Sequence, residues 1–346
     1  MRRFRERVPD LTQQTFGAGA VFSGRLWAGD GSEFDHGRVV VDDNGVVKAL
    51  GPADEVEVPF GALEIESPWV GPGLVDAHVH LAFGSPEEIL RRGVVAVRDL
   101  GAPPRDAMKW RELTAPRVQV AGPLLTAPGG YPSRSWGSDG FAAFVDDVDQ
   151  VRPLVQGLAK QVDVIKLALE PGGGPVPSAA ISAAIVESAH AEGLEVTCHA
   201  LTVAMVEQAL DAGVDELAHT PVERLPGVLI ERIAAQGVRV LSTLHTHLRA
   251  GEVVANATDL VAAGVSVRYG TDLGNAGIKP GADARELDLL ARAGLGPEGT
   301  IRASTEPICA GSPAGLVALY DDPREQPKAW TQPHAVMAGT TLLLRA

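Results

Sequence analysis

The chain has 346 residues, of which 45% are hydrophobic and 21% are charged, and its formal net charge is −14. This length accommodates a barrel of roughly 250 residues plus a smaller module, and the composition is that of a globular protein with a large core. The acidic surplus disfavours nucleic acid as a partner, and no apolar run approaches the 18 or so residues of a membrane span.

The first residues, Met1–Arg7, are basic but lead into no apolar segment, which argues against a secretory signal. The two cysteines, Cys198 and Cys309, are too few for a disulfide framework, so we expect a reducing, cytoplasmic location. The expected partner is a small-molecule substrate, with neither nucleic acid nor membrane involved. The sequence leaves open whether the chain forms a homo-oligomer.

Both ends of the chain are rich in short predicted strands. Residues 17–70 contain apolar runs separated by turns, with Asp43-Asn-Gly as a hairpin signal, and residues 308–346 repeat this pattern. We predict that the two segments form one small β-sandwich domain, preceded by an N-terminal arm at residues 1–16.

Residues 71–307 alternate short apolar runs with segments of helical period. There are eight apolar runs, at residues 73–77, 94–97, 117–121, 162–166, 194–198, 214–218, 238–242 and 265–269. The segment 178–193 is typical of the intervening helices and ends on Gly193 as a C-cap. Because alternating strands and helices build parallel sheets, the pattern predicts an α/β fold, a (β/α)8 TIM-like barrel over residues 71–307. No Gly-x-Gly-x-x-Gly follows a predicted strand, which removes the main dinucleotide-binding alternative.

Residues of metal-ligand type lie at the predicted C-terminal ends of these strands, where barrels carry their active sites. His78 and His80 close the first strand two positions apart, so both imidazoles point to one face. The others are Lys166 at the end of the fourth strand, His199 at the fifth, His219 at the sixth and Asp272 at the eighth. Each alone has a structural alternative, such as a lysine that extends from a strand end to solvent, but the ordered set favours a metal centre.

Five motifs give the chain a resemblance to a known family. They are Gly71-Pro-Gly-Leu-Val-Asp-Ala-His-Val-His-Leu, Val164-Ile-Lys-Leu, Cys198-His-Ala, Ala218-His-Thr and Gly270-Thr-Asp. These motifs resemble strand ends of the amidohydrolase superfamily, in particular its binuclear prolidase-like and imidazolonepropionase-like members. The resemblance covers nearly the whole chain, including the split sandwich.

The resemblance implies two divalent metal ions as cofactors. The more buried ion would be held by His78, His80 and Asp272, the other by His199 and His219, and both would be bridged by Lys166, carboxylated to N6-carboxylysine. Burial lowers the pKa of a lysine, which makes the neutral amine needed for that carboxylation accessible. Imidazole and carboxylate ligands suit zinc, with manganese or iron as alternatives.

Such a centre has a defined chemistry. Two cations about 3.5–4 Å apart can share a water as a bridging hydroxide, lower its pKa towards neutrality and polarise a scissile carbonyl. Asp272 would accept the proton of this water and pass it to the leaving group.

Further residues near the predicted active face are candidates for substrate binding. Tyr131, Arg134 and Trp136 lie in the loop after the third strand, where they either contact substrate or anchor the loop. Arg134 could bind a substrate carboxylate through two parallel hydrogen bonds. His245 follows the seventh strand and precedes His247, which makes it the better candidate for a pocket residue.

We therefore expect a metal-dependent amidohydrolase that acts on a C–N bond in a small amide, a cyclic amide or a peptide-like compound. The alternative is a biosynthetic cyclase or dehydratase that uses the same metal site to close a benzoxazole-type heteroaromatic ring from an aminophenol-carboxylate precursor. The tail departs from the family, because Cys309-Ala-Gly-Ser-Pro-Ala-Gly-Leu stands where the family usually has Pro-Gly-x-x-Ala-Asp-Leu, and this departure weakens the inference of the substrate. For Arg98, which ends the second strand, packing and substrate contact are equally supported.

Overall fold

The computed structural model describes residues 8–345. Strands near the two chain ends belong to one eight-stranded sheet. They are β1 (Leu11–Gln14), β2 (Ala20–Trp27), β3 (Glu33–Val41), β4 (Val47–Pro52) and β5 (Leu63–Pro72), followed at the other end of the chain by β16 (Gly315–Leu319), β17 (Ala335–Ala338) and β18 (Thr341–Arg345). Their order is β1-β18-β17-β16-β5-β2-β3-β4, and every neighbouring pair is antiparallel except β2 and β5.

The terminal sheet has an apolar core of its own. Val39 of β3 and Met337 and Leu342 of β17 and β18 are buried in the same cluster, although their strands lie far apart in the strand order. Strand β1 lies in the segment predicted as an N-terminal arm and pairs with β18. Residues 1–7 of that arm lie outside the described residues.

The middle of the chain forms parallel strands. They are β6 (Leu74–Val79), β7 (Val94–Asp99), β8 (Arg117–Val120), β9 (Leu124–Thr126), β10 (Ala142–Phe144), β11 (Ile165–Leu169), β12 (Val196–Ala200), β13 (Glu216–Leu217), β14 (Arg239–Leu241) and β15 (Val267–Arg268). Strands β6 to β8 form one sheet, and β10-β9-β11-β12-β13-β14-β15 form another, with all pairs parallel. Every predicted apolar run overlaps a strand, and the arrangement fits a TIM-like barrel.

Backbone hydrogen bonds connect the two parallel sheets. The amide of Asp163, before β11, donates to the carbonyl oxygen of Val120 in β8 at 2.8 Å. At a second place between the two sheets, the amide of Ala77 in β6 donates to the carbonyl oxygen of Tyr269, just after β15, at 3.1 Å. The first strand is therefore hydrogen-bonded to the segment that directly follows the last one.

The helices lie between the strands and are built as the sequence pattern predicts. They are α1 (Pro86–Arg91), α2 (Pro104–Arg111), α3 (Val148–Leu158), α4 (Ala179–Ala191), α5 (Val203–Ala212), α6 (Gly227–Ala235), α7 (Leu244–His247), α8 (Val253–Ala262), α9 (Ala284–Leu290) and α10 (Gly296–Ser304). In α4, the Ser178 hydroxyl caps the first turn by accepting from the Ile181 amide at 3.3 Å, and Gly193 leaves the helix with a φ of 74°. Within residues 8–345, no helix combines the length and apolarity needed to cross a membrane.

Some predicted strand ends were wrong. Strand β11 continues to Leu169, so Lys166 is near its start and not at its end, because the apolar residues after Lys166 extend the pairing with β12. Strands β13 and β15 stop at Leu217 and Arg268, so His219 and Asp272 lie in the loops that follow them. The short strands β9 and β10 were not predicted.

Candidate metal centre

One group of potential ligands is formed by His78, His80 and Asp272, all buried. Nε2 of His78 lies 3.3 Å from Oδ1 of Asp272, and Nε2 of His80 lies 3.4 Å from the same oxygen. Burial alone would raise the pKa of the Asp272 carboxyl, but the neighbouring histidines lower it overall. The carboxylate is therefore ionised and faces two imidazole nitrogens.

The outward nitrogens of these two histidines face backbone carbonyls. Nδ1 of His78 donates to the carbonyl oxygen of Ala218 at 2.8 Å, and Nδ1 of His80 lies 3.4 Å from the carbonyl oxygen of Gly101. Because a carbonyl oxygen can only accept, Nδ1 of His78 carries the proton, and its Nε2 presents a lone pair to Asp272. Burial, followed by the charge of Lys166, lowers the pKa of His78 well below its usual value, so the ring is neutral. A neutral imidazole is the form that binds metals.

The position of Asp272 is fixed by a second buried carboxylate. Asp76 accepts hydrogen bonds from the backbone amide of His78 at 3.1 Å and from the amide and hydroxyl of Thr271 at 3.0 and 2.5 Å. Burial raises the pKa of Asp76 to about 7, against the effect of these donors. Asp272 itself has a φ of 55°, a left-handed conformation that aspartate tolerates better than most residues. These bonds join the loop after β15 to strand β6.

A second group of ligand atoms shares Asp272. His219, His247 and Asp272 place one potential ligand atom each within 4.8 Å of one another. Nε2 of His219 also lies 3.0 Å from Nδ1 of His199, and Nδ1 of His219 lies 3.0 Å from the hydroxyl of Thr243. Burial lowers the pKa of His199 and His219, so both rings favour the neutral form.

Lys166 is buried, with 1% of its surface exposed, and its Nζ has no hydrogen-bond partner within residues 8–345. Burial lowers its pKa to about 8. A buried amine without a partner is costly, and so is the buried Nε2 of His78, which also lacks a hydrogen bond. Both orphaned atoms, together with the neutral imidazoles and the ionised Asp272, fit a site built for cations.

Two residues considered in the sequence have other partners. Arg98 is buried, and its Nη2 lies 2.8 Å from Oε1 of Glu216, which is itself fully buried. This favours the packing alternative for Arg98. Nδ1 of His245 lies 2.6 Å from Oδ2 of Asp283, and the group around Asp272 contains His247 instead.

The loop between β9 and β10 brings aromatic side chains to the histidines. The ring of Tyr131 lies 4.9 Å from that of His199, and the ring of Trp136 lies 4.9 Å from that of His80. Nε1 of Trp136 donates to the Tyr131 hydroxyl at 2.9 Å, which fixes the two rings relative to each other. Arg134, on the same loop, is exposed, and its side chain has no ion pair or hydrogen bond within residues 8–345.

Comparison with known proteins identifies the family of this chain. The model of the amidohydrolase family matches residues 69–309, a span that includes every strand-end residue described above. The chain belongs to the amidohydrolase family.

Similar proteins include prolidases. A structure assigned as a prolidase from Bifidobacterium longum has 24% sequence identity and a TM-score of 0.79, with 94% of each chain covered. A Xaa-Pro dipeptidase with methionine bound in its active site has 18% identity and a TM-score of 0.80, covering 95% of this chain and all of its own. An uncharacterised protein of Mycobacterium tuberculosis is 26% identical over 324 residues, which covers 78% of this amidohydrolase and 84% of the relative.

The sequence did not predict Glu170 as a residue of this amidohydrolase site, and it ranked His247 below His245. Glu170 follows β11 directly and approaches His199, with its Oε2 3.1 Å from Nε2 of the imidazole. The rule that selects polar residues at strand ends would have found Glu170 if the end of β11 had been predicted correctly. Nε2 of His247 lies 3.3 Å from Nδ1 of His219 and 4.0 Å from Oδ2 of Asp272.

Proposed function

We propose that this amidohydrolase is a metal-dependent hydrolase of a C–N bond in a small amide, cyclic amide or peptide-like substrate. The observation that carries the proposal is the placement of imidazole nitrogens around the Asp272 carboxylate, next to a buried lysine amine without a partner. A buried polar cluster of this kind is stabilised when cations satisfy its lone pairs.

The residues present suit two divalent ions, with zinc preferred and manganese or iron as alternatives. The proposed ligands are His78, His80 and Asp272 for one ion, His199 and His219 for the other, and Lys166 as the N6-carboxylysine bridge. When bound, the ions supply Lewis acidity and lower the pKa of a water. The neutral amine that carboxylation requires is supported by the burial of Lys166, which lowers its pKa to about 8.

Asp272 is the proposed proton carrier. Asn275 donates to its Oδ2 at 2.7 Å, and Oδ1 faces His78 and His80, so both carboxylate oxygens have fixed directions. A carboxylate held in this way can accept a proton from the attacking water and return it to the leaving nitrogen. Nε2 of His247 lies 4.0 Å from Oδ2, which is beyond hydrogen-bond distance.

The proposed substrate contacts come from the loop between β9 and β10. Tyr131 and Trp136 cover the histidines with a hydroxyl and a flat surface, and Arg134 offers an unpaired guanidinium to a substrate carboxylate. His245 remains a proposed pocket residue, held by Asp283.

We also propose that the barrel is closed, that the terminal sheet forms a small sandwich and that the protein is cytoplasmic. Hydrogen bonds between the first parallel strand and the segment that directly follows the last one support a closed barrel. The core shared by β3, β17 and β18 supports a terminal sheet that folds over on itself as a small sandwich. Two free cysteines, Cys198 and Cys309, support a cytoplasmic location.

The proposed activity is tested by incubating the metal-loaded protein with dipeptides, N-acyl amino acids and cyclic amides and measuring the release of free amine. We expect release from at least one of these classes, slowed by several orders of magnitude in the Asp272→Asn variant. Ring closure with loss of water, without release of amine, would contradict hydrolysis and favour a cyclase.

A further inference from the structure

Glu170 has both carboxylate oxygens engaged. Its Oε2 accepts from Nε2 of His199 at 3.1 Å, and its Oε1 accepts from the backbone amide of Gly172 at 2.8 Å. The second bond caps the short 3-10 helix Pro171–Gly173. Glu170 is therefore held in place by the backbone that follows it, and it does not move freely at the surface.

The hydrogen bond to Glu170 determines which nitrogen of His199 carries the proton. An ionised carboxylate can only accept, and a neutral imidazole has one N–H and one lone pair. The proton must therefore lie on Nε2, and Nδ1 must present the lone pair. Nδ1 is the atom that lies 3.0 Å from Nε2 of His219, on the side of the proposed metal ligands.

The other histidines of the centre obtain their orientation differently. His78 uses the carbonyl oxygen of Ala218, and His80 faces that of Gly101, so their partners belong to the backbone. His219 faces the hydroxyl of Thr243, which can donate or accept. Among these four histidines, His199 is the one whose outward nitrogen has a charged side chain as its partner, and a single substitution can remove that partner.

We propose that Glu170 is a positioning residue: it holds the proton of His199 on Nε2 and thereby presents Nδ1 to the second of the two cations. This inference rests on the proposed metal-binding function. Partners of this kind orient ligand histidines and increase their basicity, and their loss typically costs 10- to 100-fold in metal affinity.

The first measurement is the 15N NMR spectrum of histidine side chains in the metal-free protein, with the His199 signals assigned by their loss in His199→Gln. In the wild type we expect a protonated Nε2 and an unprotonated Nδ1. In Glu170→Ala we expect a mixture of the two tautomers. Glu170→Gln should retain the wild-type tautomer, because its amide oxygen can still accept from Nε2.

The second measurement is equilibrium dialysis against chelator-buffered zinc, with bound metal counted per chain. In Glu170→Ala one of the two zinc affinities should fall about 10- to 100-fold while the other is unchanged, and Glu170→Gln should lie between. Glu223→Ala is the matched control, because Glu223 also caps a backbone amide, that of Val203, but contacts no histidine in the structure. It should bind zinc like the wild type.

Failure of the inference about Glu170 and failure of the proposed function give different results. An unchanged His199 tautomer in Glu170→Ala, or equal losses of zinc in Glu170→Ala and Glu223→Ala, would overturn the role of Glu170. A wild-type protein that binds no metal would overturn the proposed function, while the tautomer measurement on metal-free protein would still report on Glu170. If Glu170→Ala fails to fold, a Glu170→Gln variant with the wild-type tautomer and less than a tenfold loss supports the proposal, and one with a mixed tautomer contradicts it.

Discussion

His78 and Asp272 meet inside the protein with Nε2 and Oδ1 3.3 Å apart, although nearly two hundred positions separate them in the chain. Hydrogen bonds to other residues hold both partners of this contact in place. The Ala218 carbonyl turns the proton of His78 outward, and Asp76 links the amide of His78 to Thr271, the residue before Asp272. Such supporting bonds are expected where ligand atoms must be held for a cation.

The first prediction is that the purified protein binds about two divalent ions per chain, the stoichiometry of a two-metal site. Lys166→Ala should lose metal and activity, because it removes the only proposed bridge, and short carboxylic acids should partly restore both by taking the place of the carbamate. Metal content and turnover are the measurements. Lys160→Ala, which removes an exposed lysine, should resemble the wild type, and full metal content in Lys166→Ala would refute the bridge.

The second prediction concerns the stability of the metal-free protein at alkaline pH. Burial lowers the pKa of Lys166 to about 8 from an ordinary value of 10.5. Between these values the unfolded chain binds one more proton than the folded chain, so the free energy of unfolding contributed by Lys166 rises with pH. Below about pH 8 both states are protonated and the penalty of burying the charge is constant. Between the two pKa values, the free energy of unfolding rises in total by on the order of 3 kcal/mol.

Urea unfolding in buffer depleted of carbon dioxide, from about pH 7.5 to about pH 10, measures this effect. Lys166→Met should lack the rise that the wild type shows, and Lys160→Met should keep it. An identical pH dependence in Lys166→Met and the wild type would show that the amine is not held in its neutral form by burial.

The regular part of the site was predictable from the sequence, and the irregular part was not. His78 and His80 lie on one face because strand geometry repeats every two residues, and all eight apolar runs of the middle segment overlap strands. His245 and His247 lie in the single helical turn Leu244–His247, where position in the sequence does not determine direction. The choice of His245 over His247 for the pocket therefore depended on a geometry that the pattern does not contain.

Glu170 and the strands β9 and β10 were missed for different reasons. β9 and β10 have only three residues each, too few for an alternation to be recognised. Glu170 was missed because β11 was predicted to end at Lys166, whereas the strand continues to Leu169. The partner of Arg98 could not be predicted either, because Glu216 lies on a strand that is distant in sequence.

A third prediction is that Asp272→Asn lowers kcat by several orders of magnitude while much of the metal stays bound. The amide keeps the size of the side chain and an oxygen for the cation, but it cannot accept a proton as the carboxylate does. Steady-state kinetics with metal analysis of the same sample is the measurement, and Asp288→Asn serves as the control because Asp288 is an exposed carboxylate that pairs with Arg292. Near-normal turnover would point to another base, and His247 would be the next candidate.

The fourth prediction concerns stability alone. Glu216→Leu leaves the buried guanidinium of Arg98 without its carboxylate, and removing one partner of a buried pair typically costs about 3–5 kcal/mol. Glu195 is a matched control: it pairs with Arg239 at 2.6 Å, as Glu216 does more weakly at 3.4 Å, but it is 55% exposed. Glu195→Leu should cost about 1 kcal/mol or less. If urea unfolding shows comparable losses in the free energy of unfolding for the two variants, burial does not explain the contribution of the pair between Arg98 and Glu216.

The last prediction is that Arg134 recognises a carboxylate or another anionic group of the substrate. Its guanidinium is exposed on the loop that carries Tyr131 and Trp136, and the structure shows no pairing with Asp139 that would explain it as a loop anchor. The guanidinium passes close to Gly129, where an added Cβ would lie 2.6 Å from Nη2, so the absence of a side chain there leaves it room.

Arg134→Ala should therefore lower kcat/KM far more for an anionic substrate than for its neutral ester or amide. Arg134→Lys should restore little, because a lysine supplies a point charge without the two parallel donors of a guanidinium. Arg105→Ala, which removes another exposed arginine, should leave both substrates unaffected. Since the catalytic residues are unchanged in all three variants, a loss confined to the anionic substrate can only come from recognition. Equal losses for the charged and the neutral substrate would instead mean that Arg134 orders the loop, and the proposed carboxylate contact would have to be abandoned.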